Sequence, residues 1–418
     1  MDLKHHGFVI PAERTADTPD VTIVMPCLDE IQSLPHCIGN ALEALVRIRL
    51  ELGLSGEIVI ADNGSTDGSQ SLATELGARV APVAQRGYGA ALIGGCRAAQ
   101  GRYILMGDAD GSYDFTEGVA MIAKLLEGHD LCMGSRFRGG IAPGAMPWKN
   151  RYIGNPALTG ILNLFFRSGV SDAHCGLRAI TKDAFERINL TGSGMEFASE
   201  MVIKSALLRL DIAEVPATLS PDLRDREPHL RPWRDGWRHL RYLFMLSPTW
   251  LFGVPALLAF LTSAILLTGS AFQTFMPGSA PFIGDYWTIL GESAFTVGHL
   301  CLILMLAGQL YSLKAGFRKE SRTMRWLAPF LNLESMLIAG GVCIAVGAAI
   351  LGLVWTEWVA RNFRPTQSVF LPVVGTMAIT AGIRTALGGF LMAIISGNEA
   401  RFVDPAEISR QRQPAAEA

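Results

Sequence analysis

Three features are missing from this chain of 418 residues, and each absence excludes a class of protein. None of the seven scattered cysteines forms a Cys-X-X-Cys pair, so neither a structural zinc site nor a disulfide framework is indicated. The formal net charge is only −2, which argues against a nucleic-acid partner held by bulk positive charge. The polar segment 1–20 has no apolar core of the signal-peptide type, so we expect the first domain to stay in the cytoplasm.

Long apolar runs are confined to the second half of the chain. Half of all residues are hydrophobic, more than in a typical soluble protein, which predicts a membrane part. Four apolar stretches occupy about residues 249–272, 288–311, 332–356 and 368–396. Each is long enough to cross ~30 Å of hydrocarbon as a helix. Residues 247–398 are therefore predicted to form a transmembrane region of about four helices, with a large soluble helical domain as the alternative.

Basic residues suggest how the chain is oriented in the membrane. The connection after the second stretch carries Lys314, Arg318, Lys319, Arg322 and Arg325. Because Lys and Arg favour the cytoplasmic side, the first domain, this loop and the tail 399–418 are predicted to be cytoplasmic, in an integral protein of the cell inner membrane. Segment 226–246 mixes Arg, Trp and Tyr, which is typical of an amphipathic helix in the headgroup layer. The alternative for this segment is an ordinary helix with a basic face exposed to solvent.

Residues 21–225 alternate short apolar strands with helical patterns. Strands are predicted at Val21–Met25, Ile58–Ala61, Tyr103–Met106 and Leu131–Met133, and helices at Ile38–Leu52, Tyr88–Gln100, Thr116–Leu126 and Phe197–Leu210. Asp114-Phe-Thr-Glu117 has the form of a capping box ahead of one helix. This alternation predicts an α/β fold with a mainly parallel sheet and helices on both faces, in which ligands bind at the carboxyl ends of the strands.

Acidic segments follow three of the predicted strands. Gly107-Asp108-Ala109-Asp110 comes directly after one apolar run, and two such carboxylates suit a hard divalent cation that holds a diphosphate. Pro26-Cys-Leu28-Asp-Glu30 follows the first strand, and Asp62-Asn63-Gly-Ser-Thr-Asp67 follows the second. A turn is the alternative for each segment alone. Because parallel strands end at one edge of a sheet, we expect the three segments to converge on one crevice.

Glycine-rich and basic segments complete the set of candidates. Gln85-Arg86-Gly87-Tyr88-Gly89 precedes a helix, whose N-terminus favours an anion. Arginine forks suit phosphate oxygens, and several follow one strand, although a surface salt bridge is the alternative for each: Arg136, Arg138, Arg151, Arg167 and Arg178. Glu196 and Glu200 could act as a base or only complement a helix dipole. His174 is interpreted as a structural hydrogen-bonding residue rather than a ligand.

In this order the motifs resemble the family 2 glycosyltransferases of GT-A fold, and most closely the polyprenyl-phosphate branch typified by dolichol-phosphate mannose and glucose synthases. The resemblance covers about residues 20–245, and some members of that branch also carry C-terminal spans. It implies a nucleotide-sugar donor, a polyprenyl-phosphate lipid acceptor, and Mg²⁺ or Mn²⁺ as cofactor. The residues it implies for the donor are Pro26, Leu28, Glu30, Asp62, Asn63, Arg86, Gly87, Asp108, Ala109 and Asp110.

The resemblance also implies the remaining site residues. It implies Asp108, Asp110 and Ser112 for the metal, and Ser135, Arg136, Arg138 and Arg151 for the acceptor phosphate, with Asp110, Arg136 and Arg151 as the catalytic group. Three positions depart from the family's pattern. Leu28-Asp29 replaces an aromatic–Asn pair, Asn63 replaces a second Asp, and Ser112 stands where Gln is typical. These departures leave the donor base and the metal preference open.

The predicted function is therefore inverting transfer of a hexose from UDP-glucose or GDP-mannose to a polyprenol phosphate. A phosphate monoester, with a second pKa near ~6, needs no strong base to become a nucleophile. One alternative keeps the fold but uses a hydroxyl acceptor, with Glu196 or Glu200 as base.

Another alternative is a non-catalytic nucleotide-sugar sensor on a lipid carrier. It is motivated by ionisable residues within the spans: Glu292, His299, Glu334 and Arg384. The spans could also bind lipid, serve as an anchor, or support a homo-oligomer.

Overall fold

The computed structural model describes residues 18–224, 232–276, 284–364 and 368–397. The predicted N-terminal tail lies almost wholly outside the described residues. The same holds for the predicted tail 399–418 and for residues 226–231 of the predicted amphipathic segment. Backbone contacts divide the chain into two units, with the division between Leu246 and Ser247.

In the described residues, the first unit is a mixed α/β domain. Its strands are β1 Val21–Cys27, β2 Gly56–Asp62, β3 Arg79–Pro82, β4 Tyr103–Met106, β5 Leu131–Ser135, β6 Gly140–Ile141, β7 Arg178–Thr181 and β8 Ile212–Leu219. Its helices are α1 Leu34–Leu52, α2 Ser69–Glu75, α3 Tyr88–Ala98, α4 Gly118–Leu126, α5 Arg136–Gly139, α6 Asn155–Phe166, α7 Lys182–Ile188, α8 Phe197–Leu207 and α9 Pro232–Met245.

The strands form one sheet in the order β3-β2-β1-β4-β7-β5-β8-β6. Strands β1, β2, β3 and β4 pair in parallel, with Cys27 opposite Asp62 and Val24 opposite Met106. Strand β7 pairs antiparallel with both β4 and β5. Because β7 reverses direction between two neighbours, β4 and β5 point the same way, and the carboxyl ends of β1, β2, β4 and β5 lie at one edge of the sheet.

The predicted α/β class is confirmed, and the differences from the predicted elements have physical causes. Strands β3, β6, β7 and β8 were not predicted, because β3, β6 and β7 are short and each includes a charged residue, a proline or a glycine, and Pro216 interrupts the pattern of β8. The predicted capping box is only half formed. Asp114 accepts a hydrogen bond from the Thr116 amide at 2.8 Å. The Glu117 carboxylate instead accepts hydrogen bonds from the Thr218 amide at 2.8 Å and from the Thr218 hydroxyl at 2.7 Å. A tertiary contact to β8 has therefore replaced the local bond to the cap.

The second unit is helical in the described residues, with α10 Val254–Phe275, α11 Asp285–Lys314, α12 Arg322–Leu327, α13 Leu333–Ala360 and α14 Phe370–Ser396. Four helical segments are long and apolar enough to cross a membrane: Thr249–Phe275, Asp285–Lys314, Leu333–Ala360 and Phe370–Ser396. They coincide with the four predicted stretches. Helices α13 and α14 pack at backbone contact, since a Cβ on Gly340 would lie 2.6 Å from the Gly382 carbonyl oxygen.

Candidate active site

The loops after β1, β2 and β4 are hydrogen-bonded to one another at the carboxyl edge of the sheet. The Asp29 amide donates to Ser65 Oγ at 2.9 Å, and Asp29 Oδ1 accepts from the Thr66 amide at 2.7 Å. Ser33 Oγ donates to the Ala109 carbonyl at 2.6 Å and lies 3.2 Å from the Glu30 carbonyl. The three acidic segments therefore form one crevice, as the parallel strand ends predicted.

Asp62 and Asn63 are buried and bonded to neighbouring loops. Asp62 Oδ2 accepts from the Gly64 amide at 3.0 Å and from Gln70 Nε2 at 2.7 Å. Asn63 Nδ2 donates to the Gln85 carbonyl at 2.7 Å, and its Oδ1 accepts from the Gly87 amide at 2.7 Å. Asn63 thus fixes the glycine-rich loop against the end of β2, a role that the sequence pattern did not reveal.

The glycine-rich loop approaches the backbone of the segment before α8. Gly87 has φ +133°, and a Cβ there would collide with the Ser193 carbonyl oxygen. The Ala90 amide donates to that same carbonyl at 3.1 Å. Only glycine combines this φ with so close an approach. Arg86 beside it is exposed, so its guanidinium is available at the rim of the crevice.

Asp108 is held by a tyrosine from the glycine-rich loop. Tyr88 donates its hydroxyl hydrogen to Asp108 Oδ1 at 2.8 Å, and its ring lies edge-on to Phe197 with centroids 6.4 Å apart. Burial, together with the nearby Asp110 carboxylate, raises the pKa of Asp108 to about 6. A carboxylate whose ionised form is this poorly compensated is a favourable place for a cation.

Asp110 is bonded on both oxygens. Its Oδ1 accepts from the Ser112 amide at 3.0 Å and from the Ser112 hydroxyl at 2.6 Å. Its Oδ2 accepts from Arg224 Nη2 at 2.9 Å, and Arg224 Nη1 lies 3.4 Å from Glu30 Oε1. The Ser112 hydroxyl therefore donates to Asp110 Oδ1. The charged partner of Asp110 is the Arg224 guanidinium.

Arg224 was not predicted as a site residue. The segment after β8 crosses the Asp108–Ser112 loop, with the Ser220 amide donating to the Ser112 carbonyl at 2.9 Å and the Leu223 amide to the Asp110 carbonyl at 2.8 Å. This crossing brings Arg224 onto the acidic crevice. Arg224 lies five residues after the end of β8, and no local pattern in the sequence places it on this crevice.

The crevice suits a metal that is held partly by its substrate. Within the described residues, no three His, Cys, Asp or Glu side chains cluster as a complete metal site. Asp108 and Asp110 nevertheless place two half-buried carboxylates at one edge of the sheet. A hard cation such as Mg²⁺ is commonly bound by one or two carboxylates and completed by substrate phosphates and water, so the residues present fit such an ion together with a diphosphate.

The predicted phosphate-binding cations have different environments. Arg136 is buried and binds Asp172 through both branches of its fork, at 2.7 Å from Nε and 2.8 Å from Nη2. Ser135 is also buried, with its hydroxyl 2.7 Å from the Ser171 hydroxyl. Arg138 is half exposed and lies 3.1 Å from Glu214. The Arg151 guanidinium lies 5.5 Å from the centre of the Tyr152 ring.

The two candidate bases differ in how much of each carboxylate is engaged. Glu200 is fully buried and accepts from the Gly192 amide at 2.7 Å and from Lys204 at 2.7 Å. Glu196 Oε1 accepts from the Gly194 amide at 3.1 Å, while its buried Oε2 has no hydrogen-bond partner in the described part of the chain. His174 Nε2 lies 3.2 Å from the Ser199 hydroxyl, in agreement with a structural hydrogen-bonding role.

Two family models match parts of this chain, and one known protein is similar to it over nearly its whole length. A family model described as glycosyl transferase family 2 matches residues 22–188, and one described as the glycosyltransferase family 2 C-terminal transmembrane region matches residues 306–396. The low-salt glycan biosynthesis hexosyltransferase Agl6 of Haloferax volcanii is 34% identical over 395 residues, which cover 94% of this chain and 93% of that protein. The dolichyl-phosphate beta-glucosyltransferase of Dictyostelium discoideum is 27% identical, over 51% of this chain and 70% of that protein.

Among solved structures, glucosyl-3-phosphoglycerate synthase from Mycobacterium tuberculosis, crystallised with Mn²⁺, UDP and glucosyl-3-phosphoglycerate, is similar to this chain with a TM-score of 0.41. It is 19% identical, and the match covers 54% of this chain and 78% of that one. This likeness is too weak to carry residue roles from one protein to the other.

Proposed function

Because this chain belongs to glycosyltransferase family 2, with a GT-A-like α/β domain followed by membrane-spanning helices, we propose that it transfers a hexose from a nucleotide diphosphate sugar to the phosphate of a membrane polyprenol. The observation that carries the proposal is the acidic crevice, where Asp108 and Asp110 face Arg224 at the carboxyl edge of the sheet. The names of two relatives, a glycan-biosynthesis hexosyltransferase and a dolichyl-phosphate glucosyltransferase, support a lipid-linked sugar.

The donor would lie across the ends of β1, β2 and β4. Pro26, Leu28 and Glu30 would line the nucleoside pocket with Asp62. Asp108 and Asp110 would hold Mg²⁺ or Mn²⁺, which when bound supplies positive charge to the departing diphosphate. Arg224 now neutralises Asp110 and Glu30. Arg224 would also bind the diphosphate oxygens of the donor, because an arginine fork fits phosphate well.

The acceptor phosphate would be positioned by cations rather than activated by a base. A phosphate monoester is already largely ionised at neutral pH, so it can attack the anomeric carbon from the side opposite the diphosphate and invert it. Arg138 and Arg151 are the arginines that reach solvent in this region. Arg136, whose fork is bound to Asp172, would contribute its charge at a distance, and the Ser135 hydroxyl beside it in the chain contacts the Ser171 hydroxyl.

A lipid acceptor requires the first unit to work at a membrane surface. The exposed face of α9 carries Trp237, Arg241 and Met245, while His239 and Leu243 on the other face are buried. This combination of exposed cations and large apolar groups is typical of a helix in the headgroup layer. The basic loop after α11 supports a cytoplasmic location for this unit, at the inner membrane.

A hydroxyl acceptor is the second candidate, and one observation favours it. Glu196 Oε2 is buried without a hydrogen-bond partner in the described residues, next to Phe197, which packs against Tyr88. Such an oxygen could accept a proton from a sugar or lipid hydroxyl. Replacing Glu196 with Gln separates the candidates, because near-complete loss of turnover favours the hydroxyl acceptor and a modest loss favours the phosphate.

The test is a donor screen on the full-length protein in detergent. Polyprenyl phosphate, Mg²⁺ or Mn²⁺, and each radiolabelled UDP- or GDP-sugar are combined in turn, and label in the organic phase is counted. Asp110→Asn should abolish transfer, because its carboxylate is needed for the cation. Asp183→Asn is the matched control, since its side chain is 79% exposed in a surface ion pair with Arg187.

Transfer from one donor that disappears only in Asp110→Asn would establish the reaction and identify the sugar. Transfer that persists in Asp110→Asn would contradict the assignment of Asp110 to the cation. Nucleotide binding without transfer from any donor would contradict the polyprenyl-phosphate acceptor.

A further inference from the structure

The spans contain a polar seam between α11 and α14 that the transfer reaction does not use. Arg384 lies fourteen residues after the first residue of α14 and twelve before the last. At 1.5 Å per residue these positions are about 21 and 18 Å from the two helix ends. A charged side chain near the middle of a span is costly, and it typically marks a functional site.

Arg384 makes its hydrogen bonds to neutral oxygens. Its Nη1 donates to the Thr296 carbonyl at 2.7 Å, its Nη2 to Thr296 Oγ1 at 3.2 Å, and its Nε to the Thr380 carbonyl at 3.0 Å. The Thr296 hydroxyl in turn donates to Glu292 Oε1 at 2.7 Å. The hydroxyl therefore stands between the guanidinium and the Glu292 carboxylate, and no direct ion pair to Arg384 occurs among the described residues.

These groups line a cleft at the seam. The cleft has a volume of about 360 Å³ and is bounded by Glu292, Thr296, Thr380, Ile383 and Arg384. Ile383 is 46% exposed, so the cleft has an apolar side beside its polar and charged residues. An arginine fork that pairs directly with no carboxylate among the described residues favours a planar or tetrahedral oxyanion.

We propose that this cleft binds the phosphate headgroup of a membrane lipid, with Arg384 as the anion-binding residue. The lipid phosphate would supply the direct ion pair that Arg384 lacks, and the hydrocarbon chain would lie along the exposed apolar side near Ile383. Glu292 faces the same cleft and opposes an anion there. The site goes beyond the transfer reaction, and only the choice of polyprenyl phosphate as the first lipid to test rests on the proposed function.

The test uses the full-length protein in detergent with a photoactivatable polyprenyl phosphate, and crosslinked peptides are mapped by mass spectrometry. Mapping separates lipid on α11 and α14 from lipid at the first unit. Arg384→Gln should lower labelling of these two helices about tenfold or more. Glu292→Gln should raise it severalfold, because it removes a repelling charge and keeps an oxygen for the Thr296 hydroxyl. Arg361→Gln is the matched control, since Arg361 pairs with Glu357 at 2.8 Å at the end of α13.

The two substitutions separate binding from a structural contact. If the polar seam only holds the helices together, Arg384→Gln and Glu292→Gln should both lower labelling, and that result would overturn the proposal. Unchanged labelling in Arg384→Gln would overturn it as well. Should Arg384→Gln fail to fold, Arg384→Lys keeps the charge without the fork and should give an intermediate loss.

Two further probes identify the source of the phosphate. Labelling by photoactivatable phosphatidate as well as by polyprenyl phosphate supports a site for lipid phosphates in general. Competition by inorganic phosphate at equal concentration would overturn the lipid requirement. Hexose transfer is measured on the same wild-type samples. Labelling of the seam without any transfer would refute the proposed function and leave the lipid site standing.

Discussion

The buried ion pair between Arg136 and Asp172 gives the sharpest test of the structure, and the variant is Asp172→Asn. Asp172 has no exposed surface, and Arg136 is 8% exposed. Its carboxylate accepts from Arg136 Nε, Nη2 and the backbone amide, at 2.7, 2.8 and 3.1 Å. Asparagine keeps the shape but leaves the buried guanidinium without its counter-charge. Breaking such a pair costs about 3–5 kcal/mol of unfolding free energy.

That cost converts into a large shift in melting temperature. For a domain of roughly 150–250 residues, 1 kcal/mol corresponds to about 2–4 °C, so the expected fall in Tm is about 6–20 °C. A thiol-reactive dye can follow the transition, because five cysteines of the first unit are buried: Cys27, Cys37, Cys96, Cys132 and Cys175. Replacing Cys301 and Cys343, which are partly exposed, confines the signal to this unit.

Glu43→Gln is the control, because it breaks an exposed ion pair instead of a buried one. Glu43 and Arg47 lie 2.7 Å apart with about half of each side chain exposed, so the change should lower Tm by only about 1–2 °C. The double variant Arg136→Met with Asp172→Leu should recover part of the loss, because apolar replacement of a buried pair is often close to neutral. A Tm for Asp172→Asn within the range of the control would refute the buried pair and return Arg136 to the set of free phosphate ligands.

Four further predictions concern the crevice, the acceptor region and Glu200. Because the pKa of Asp108 is raised to about 6, its carboxyl is protonated below that pH and ionised above it, so Mn²⁺ affinity measured by titration should fall as pH drops below about 6. Tyr88→Phe removes a hydrogen bond that favours the ionised form of Asp108, so the pH midpoint of Mn²⁺ binding should move to higher pH. An unchanged midpoint would contradict the hydrogen bond between Tyr88 and Asp108. Arg151→Gln should raise the KM for polyprenyl phosphate about tenfold and leave the KM for the donor unchanged. Arg167→Gln is the control, because Arg167 is also at the surface and its loss should change neither KM value. Glu200→Gln should lower Tm but spare kcat once corrected for folded protein, since Glu200 is engaged by Lys204 and the Gly192 amide; a large loss of kcat would mark it as the base.

Local sequence was sufficient for the α/β class, for strands β1, β2, β4 and β5, and for the convergence of the acidic segments. Apolar runs predict strands, and neighbouring parallel strands end at the same edge of a sheet. Asp62 and Asp108 are therefore expected at one edge from the sequence alone. The four spans followed from length and hydropathy alone. These features depend on periodicity and on residue type, which a single sequence carries.

Partners that are distant in sequence were decided by the tertiary structure. Arg224 reaches Asp110 across 114 positions of the chain, and Arg136 meets Asp172 across 36. Neither pairing has a local pattern, because it depends on where β8 and β7 place the segments beside them. The same holds in the spans, where Arg384 meets Thr296 only because α11 and α14 pack side by side. The sequence by itself determined which charged groups the protein has and on which elements they lie, whereas the packing of those elements decided which charges neutralise each other and which remain available for a ligand.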